Sequence, residues 1–259
     1  MTMDTLLADA RAFVASAEFK QAVLRGCREI DPVREVSRLN TNIHPDDQMF
    51  LHSLRSHGEV DVAASQYFAV AAQQFNAMRQ VMALTVGNRA DASVLDFACG
   101  FGRLLRFLEL VMERGSMAAS ELQADALDFV GREFRVATFP STPDPADFRI
   151  DGRFDFIWVA SLFSHLPRPL FDAWLSRLHE LLTPRGALCF SVRDIGLLPG
   201  GATLDDAAFL YQPESENADL GSDIYGTTYA GEGFVRDVVA TALGRDAICR
   251  RLPRALANE

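Results

Sequence analysis

The sequence predicts an α/β fold: a mostly parallel sheet layered between helices, entered through an N-terminal helical extension. Three observations predict it. From Ser93 onward, short apolar runs alternate with amphipathic stretches of about 10–15 residues, the pattern of strand–helix–strand crossovers. Before residue 90, apolar residues recur at helical spacing with little strand pattern. A glycine pair, Gly100 and Gly102, lies where the first apolar run meets the first amphipathic stretch.

The elements follow in order. In "TLLADARAFVASAEFKQAVLRGCREI", Leu6, Leu7, Ala10, Phe13 and Val14 mark a helix face. "HPDDQMFLHSLRSH" opens on Pro45 and two acids, a helix entry. "ASQYFAVAAQQFNAMRQVMAL" repeats through Phe68, Ala72, Phe75, Met78 and Met82. "SVLDFA" reads as the first strand. "GRLLRFLELVMERG" reads as a helix with Arg103, Arg106, Glu109 and Glu113 along a polar side, ended by Gly115. "SMAASEL", "RVATFP", "FDFIWVASLF" and "GALCFSV" read as further strands, with "ADALDFVGREF" and "RPLFDAWLSRLHELLTP" as helices between them. Residues 196–233 read as one long loop, rich in Gly, Asp and Ser. "EGFVRDVVATALG" is a helix and "DAICRRL" a closing strand. The organisation expected is a helical cap over 1–90 and a ligand-binding domain over 91–259.

Composition narrows the function. The 259 residues carry a net charge of −10, so no broad basic surface invites a phosphate backbone, and nucleic acid is not the expected partner. "CRRLPR" at 249–254 is the best local basic run. The four cysteines are widely spaced without a C-x-x-C pair, so no metal site is expected. Neither a signal-peptide layout nor an apolar run of membrane length is visible, so a cytoplasmic protein is expected, with no membrane partner.

"VLDFACGFGRLLR", residues 94–106, carries the chemistry. The dinucleotide pattern G-x-G-x-x-G fails, because Leu105 stands at the third glycine. Asp96 is also wrong for a diphosphate: two unit charges at contact repel by about 1 kcal/mol even in water. It suits a ligand that is cationic or offers donors. S-adenosylmethionine carries a sulfonium and an ammonium and no phosphate. Glu121 lies 25 positions after Asp96, at the end of the second strand, where an acid accepts from both hydroxyls of a ribose.

The run "VLDFACGFGR" resembles the first motif of the class I S-adenosylmethionine-dependent methyltransferases, with Ala98 replacing the first glycine of D-x-G-x-G-x-G. The segment "FDFIWVASLFSHLPRPLFDAWLSRLHELLTPRGALCFSV" looks like that family's fourth strand, helix, turn and fifth strand. The resemblance covers about residues 90–195. It implies a three-layer Rossmann-like methyltransferase sheet of seven strands, the last reversed, and S-adenosylmethionine as cofactor. It implies cofactor contacts at Asp96, Ala98, Gly100, Gly102, Glu121, Leu122, Ser141 and Ala160. Tyr67 and Phe68, which open the last helix before the first strand, are candidates to close over the methionine end of the cofactor, with ordinary core packing as the alternative. Ser141 stands only loosely for the third-strand acid that often meets the adenine amine.

The turn after the fourth strand is "ASLFSH", not the (D/N)-P-P-(Y/F) of enzymes acting on base or amide nitrogens. No terminal Asp of the metal-dependent catechol type is present. The function expected is methyl transfer to a small-molecule acceptor, with oxygen favoured. A protein methyltransferase and a non-catalytic S-adenosylmethionine-binding module stay open as alternatives. His165, just past the fourth strand, is the candidate general base. The competing reading makes it a loop-capping residue that moves no proton. "GSDIYGTTYAGEG", with Tyr225 and Tyr229, is a candidate lid; its alternative is a plain connector.

Overall fold

The computed structural model describes residues 3–199, 204–214 and 221–256. The first helical stretch divides in two, α1 (Met3–Ala15) and α2 (Ala17–Arg25). Ser16 makes the break: its backbone is extended and its hydroxyl accepts the Phe19 N–H at 3.2 Å, capping α2. α3 (Gln48–His57) begins after Asp47, whose carboxylate accepts the N–H groups of Met49 and Phe50. α4 (Val60–Thr85) is the long helix, and α1, α2 and α3 pack on it.

The change of pattern near residue 90 falls between the end of α4 and β1 (Val94–Phe97). Then follow α5 (Leu105–Leu108), β2 (Met117–Glu121), α6 (Ala124–Phe134), β3 (Ala137–Pro140), β4 (Phe154–Val159), α7 (Arg168–Glu180) and β5 (Leu182–Phe190). The five strands form one parallel sheet in the order β3-β2-β1-β4-β5. Alternate residues face opposite sides, which sorts the core into two layers. Val94, Phe156 and Trp158 join Phe68, Phe75, Met78 and Met82 of α4 and Phe129 and Phe134 of α6. Leu95, Phe97, Ile157 and Val159 join Phe171, Trp174 and Leu178 of α7, with Phe234 and Val238 of α8 (Glu232–Leu243). The strand order reverses between β1 and β4. In open α/β sheets the crevice beyond such a reversal, at the carboxyl ends of the strands, is where ligands bind.

Several expectations are corrected. The sheet holds five strands among the described residues, not seven, and none is reversed. "DAICRRL" forms no strand. The helix expected over 102–115 is only the single turn α5, flanked by turns. Arg106 therefore does not share a solvated side with Arg103. It is fully buried, donates to the carbonyls of Asn40 and Asn42 at 3.3 Å, and lies over the rings of Tyr67, Phe68 and Phe134.

The stretch read as one loop, 196–233, falls partly outside the described residues, at 200–203 and 215–220. The rest contains β7 (Phe209–Gln212) and β8 (Thr227–Ala230), which with β6 (Arg193–Asp194) form a small second sheet ordered β6-β8-β7. Backbone bonds fasten this sheet to the loop after β4. Gly226 N–H donates to the His165 carbonyl at 2.8 Å, and Thr228 N–H to the Ser164 carbonyl at 2.7 Å.

Candidate cofactor and acceptor site

A cavity of about 210 Å³ opens at the carboxyl ends of β1, β2 and β4, at the reversal point. Asp96, Ala98, Gly100, Glu121, Leu122, Ser141, Ala160 and Tyr67 all line it. Two residues expected at the site, Gly102 and His165, are not part of its wall.

The turn after β1 is built from left-handed backbone. Ala98, Gly100 and Gly102 have φ of 58°, 55° and 72°. At Gly100 a Cβ would meet nothing within 4 Å, so the glycine leaves room beside the chain for a ligand. At Gly102 a Cβ would clash with the Phe134 ring. Gly102 thus serves close packing of the turn on α6 and makes no wall of the cavity. Ala98 holds the same left-handed conformation with a side chain, at a strain cost of roughly 1–2 kcal/mol. Ser161, past β4, is a second non-glycine residue at positive φ (61°) that lines the cavity. Strained backbone of this kind gathers at ligand sites.

Asp96 is 4% exposed, and its Oδ2 is buried with no hydrogen-bond partner. Burial, reinforced by the nearby Glu121 carboxylate and opposed by Arg103, pushes its carboxyl up to about 8. Trp158 pairs with Asp96 across the β1–β4 ladder, and its buried indole N–H is also without a partner. Two unpaired polar groups on one face of the sheet cost a few kcal/mol unless a ligand satisfies them. Glu121 is engaged instead. Its Oε2 accepts the Gly100 N–H at 2.8 Å and its Oε1 accepts the N–H groups of Leu122 (2.7 Å) and Gln123 (3.2 Å). It locks the glycine turn to the end of β2, and of its four acceptor sites one, on Oε2, remains for a ligand hydroxyl. Its carboxyl is nevertheless raised, because burial outweighs these bonds. Ser141 is fixed by its N–H on the Glu121 carbonyl at 2.8 Å.

The N-terminal helices supply the opposite wall through Asp47, Gln48, Met49, Tyr67 and Gln74. The Tyr67 hydroxyl donates to Asp47 Oδ2 at 2.6 Å, which anchors its ring in the wall. Burial and the Asp47 carboxylate raise its phenol. Gln74, Trp158, Arg103 and Met49 line the cavity without having been singled out from the sequence. Gln74 had a signal: with Tyr67, Ala71 and Met78 it keeps helical spacing, a buried amide on an apolar face.

His165 is 2% exposed. Its Nδ1 lies 2.6 Å from the Gly226 carbonyl, which can only accept, so Nδ1 carries the proton. Its ring stacks on Tyr225 with centroids 4.4 Å apart and planes 9° apart. Tyr225 and Ile224 line the cavity, and Tyr229 is buried in β8. The candidate lid is therefore a wall segment at 224–225, with His165 directly behind it. Among the described residues no group of three His, Cys, Asp or Glu is placed to hold a metal, and no helix is long and apolar enough to cross a membrane.

Residues 95–188 match the model of a family described as a methyltransferase domain. No curated protein matches the chain in sequence. Among solved structures, the chain is similar to an S-adenosylmethionine-dependent methyltransferase from Clostridium acetobutylicum, at 18% identity over 49% of this chain and 52% of that one, with a TM-score of 0.42. It is similar to magnesium protoporphyrin IX methyltransferase from Synechocystis, solved with bound SAH, at 16% identity over 69% and 75% of the two chains and a TM-score of 0.46. It is similar also to a sugar N-methyltransferase from Streptoalloteichus, at 20% identity over 67% and 64%, with a TM-score of 0.44. The chain spans about half the length of the first of these.

Proposed function

We propose that the chain, whose residues 95–188 match a methyltransferase-domain family, is a class I S-adenosylmethionine-dependent methyltransferase that transfers a methyl group to a small-molecule acceptor at oxygen. The observation that carries the reading is the buried Asp96 Oδ2, without a partner, beside a glycine turn with open space at Gly100. An acid so placed takes a cationic group. S-adenosylmethionine supplies, when bound, a methyl group activated on a sulfonium.

The residues divide the work. Asp96 gives up its proton and faces the cationic methionine end. Glu121 holds the glycine turn and offers its one remaining acceptor site, on Oε2, to a ribose hydroxyl. Leu122, Ser141 and Ala160 border the adenosine. Met49, Tyr67, Gln74 and Trp158 form the wall against which an acceptor is aligned with the methyl; alignment of this kind is worth several kcal/mol of barrier. Tyr225 closes that side against water. His165 stands behind Tyr225 and reaches no acceptor in this conformation, so its role is to position Tyr225. The cavity is small, about 210 Å³, and its wall is largely apolar, which favours a small molecule over a protein segment. Oxygen is favoured because "ASLFSH" stands in place of the turn of enzymes acting on base or amide nitrogens.

The test is turnover. Incubation with S-adenosylmethionine and a panel of small hydroxyl compounds should form S-adenosylhomocysteine, and Asp96→Asn should lower the rate. Cofactor binding without turnover on any hydroxyl, amine or protein acceptor would return the non-catalytic module instead.

A further inference from the structure

We propose that the methyl acceptor is an uncharged hydroxyl compound whose hydroxyl is taken by Gln74 and Trp158. The proposal rests on the function read above and names the class of its acceptor. Gln74 lies on α4, is 7% exposed, and lines the cavity. Among the described residues its side-chain amide makes no hydrogen bond. Its buried neighbours along α4, Ala71, Phe75 and Met78, are apolar and offer it none. A buried amide left in that state is costly, so the molecule that fills the cavity is its natural partner.

Trp158 packs in the same layer of the core, lines the same cavity, and carries a buried indole N–H without a partner. The two groups differ in what they ask of a ligand. The amide both donates and accepts, while the indole only donates. A hydroxyl answers both. It donates to the Gln74 amide oxygen, and one of its two lone pairs takes the Trp158 N–H. The other lone pair is left to face the methyl group, held in line by the two bonds. A neutral amine nitrogen has one lone pair and would lose it to the indole.

The charges around the cavity select against an anion. Four charged side chains line it: Asp47, Asp96 and Glu121 against Arg103. With Asp96 protonated in the empty site, two acids still face one arginine. With Asp96 ionised there are three, and S-adenosylmethionine brings one net positive charge. Negative charge is in excess by one in both states, so an anionic acceptor meets like charge where water is partly excluded. Tyr67, Phe101, Trp158, Trp174 and Tyr225 give the wall flat rings, which suits an aromatic body as a probe.

The experiment titrates four probes into protein saturated with S-adenosylhomocysteine, read by ligand-observed NMR. Phenol and toluene differ in the hydroxyl; 4-hydroxybenzamide and 4-hydroxybenzoate share a shape and differ in charge. Wild type should bind phenol more tightly than toluene, and the amide about tenfold more tightly than the carboxylate. Gln74→Leu and Trp158→Phe should each weaken phenol about 5–10-fold, the effect of leaving one buried polar group unmatched. Each should leave toluene and S-adenosylhomocysteine within about twofold, and either variant carries the comparison should the other not fold. Equal affinity for phenol and toluene in wild type, or equal losses for both in the variants, overturns the proposal. So does a carboxylate bound as tightly as the amide. A loss of S-adenosylhomocysteine affinity matching that of phenol would move the two residues to the cofactor side, and also overturns it. Protein that binds S-adenosylhomocysteine and none of the probes overturns this proposal alone; wild type that does not bind S-adenosylhomocysteine overturns the cofactor reading and this proposal with it.

Discussion

Cofactor binding should release a proton from Asp96. The perturbation is pH, and the magnitude follows from the site. With the carboxyl at about 8 in the free protein, roughly nine molecules in ten are protonated there at pH 7. An opposite charge at contact lowers a carboxyl by about 1–3 units. Where the lowering is two to three units, to about 5–6, binding at pH 7 expels about 0.8–0.9 proton by linkage. Affinity should then rise roughly five- to tenfold between pH 6 and pH 7, a range below that in which an α-amino group loses its own proton.

The assay is calorimetric titration of S-adenosylmethionine at pH 7 in buffers of different ionisation enthalpy. The slope of apparent heat against buffer enthalpy counts the protons. Asp96→Asn should abolish both the release and the pH dependence; it isolates this acid from every other titrating group. The same shift acts on folding. Asp96 binds its proton in the folded state up to about pH 8 and in the unfolded state only to about pH 4. Between those values the folded state binds more protons, so stability of the free protein is full at low pH and falls as pH rises through the window, levelling above it. Buffer-independent heats with a flat affinity from pH 6 to 7 would refute the account of Asp96, as would a full proton release that survives in Asp96→Asn.

Four further outcomes follow from the site. Gly102→Ala combines left-handed backbone with a contact inside the Phe134 ring, and should lose about 2–4 kcal/mol in chemical denaturation. Ala98→Gly relieves about 1–2 kcal/mol of strain against about 0.5–1 kcal/mol of added chain entropy, so its midpoint should hold or rise; a loss above about 1 kcal/mol would contradict the strain at that turn. Glu121→Ala should weaken cofactor binding by about 1–3 kcal/mol and also lower thermal stability, since three N–H groups lose their acceptor; unchanged affinity in a folded protein would remove Glu121 from the site. His165→Gln should lower kcat with the shape of the pH–rate profile retained, and loss of a limb near neutrality would instead make His165 a proton acceptor.

How much of this was legible depends on how local the cause is. β4, α6, α7 and α8 lie within a few residues of their expected bounds, because period and punctuation specify them within their own windows. The glycine turn was legible for the same reason. Arg106 was not. Its spacing beside Arg103 looks like a polar stripe, but α5 ends after one turn, and carbonyls some 64–66 positions earlier take the guanidinium inward. The small sheet was hidden because its strands are two to four residues long and pair across a glycine-rich stretch. His165 shows the limit most clearly. Strand-end position was readable, but the side of the wall on which the ring lands is set by the Gly226 carbonyl, 61 positions on, and by the Tyr225 ring that covers it. A motif can therefore name the residues near a ligand, while the long-range bonds decide which of them touch it. Here those bonds withdraw His165 and Gly102 from the wall and bring forward Arg103, Gln74 and Trp158.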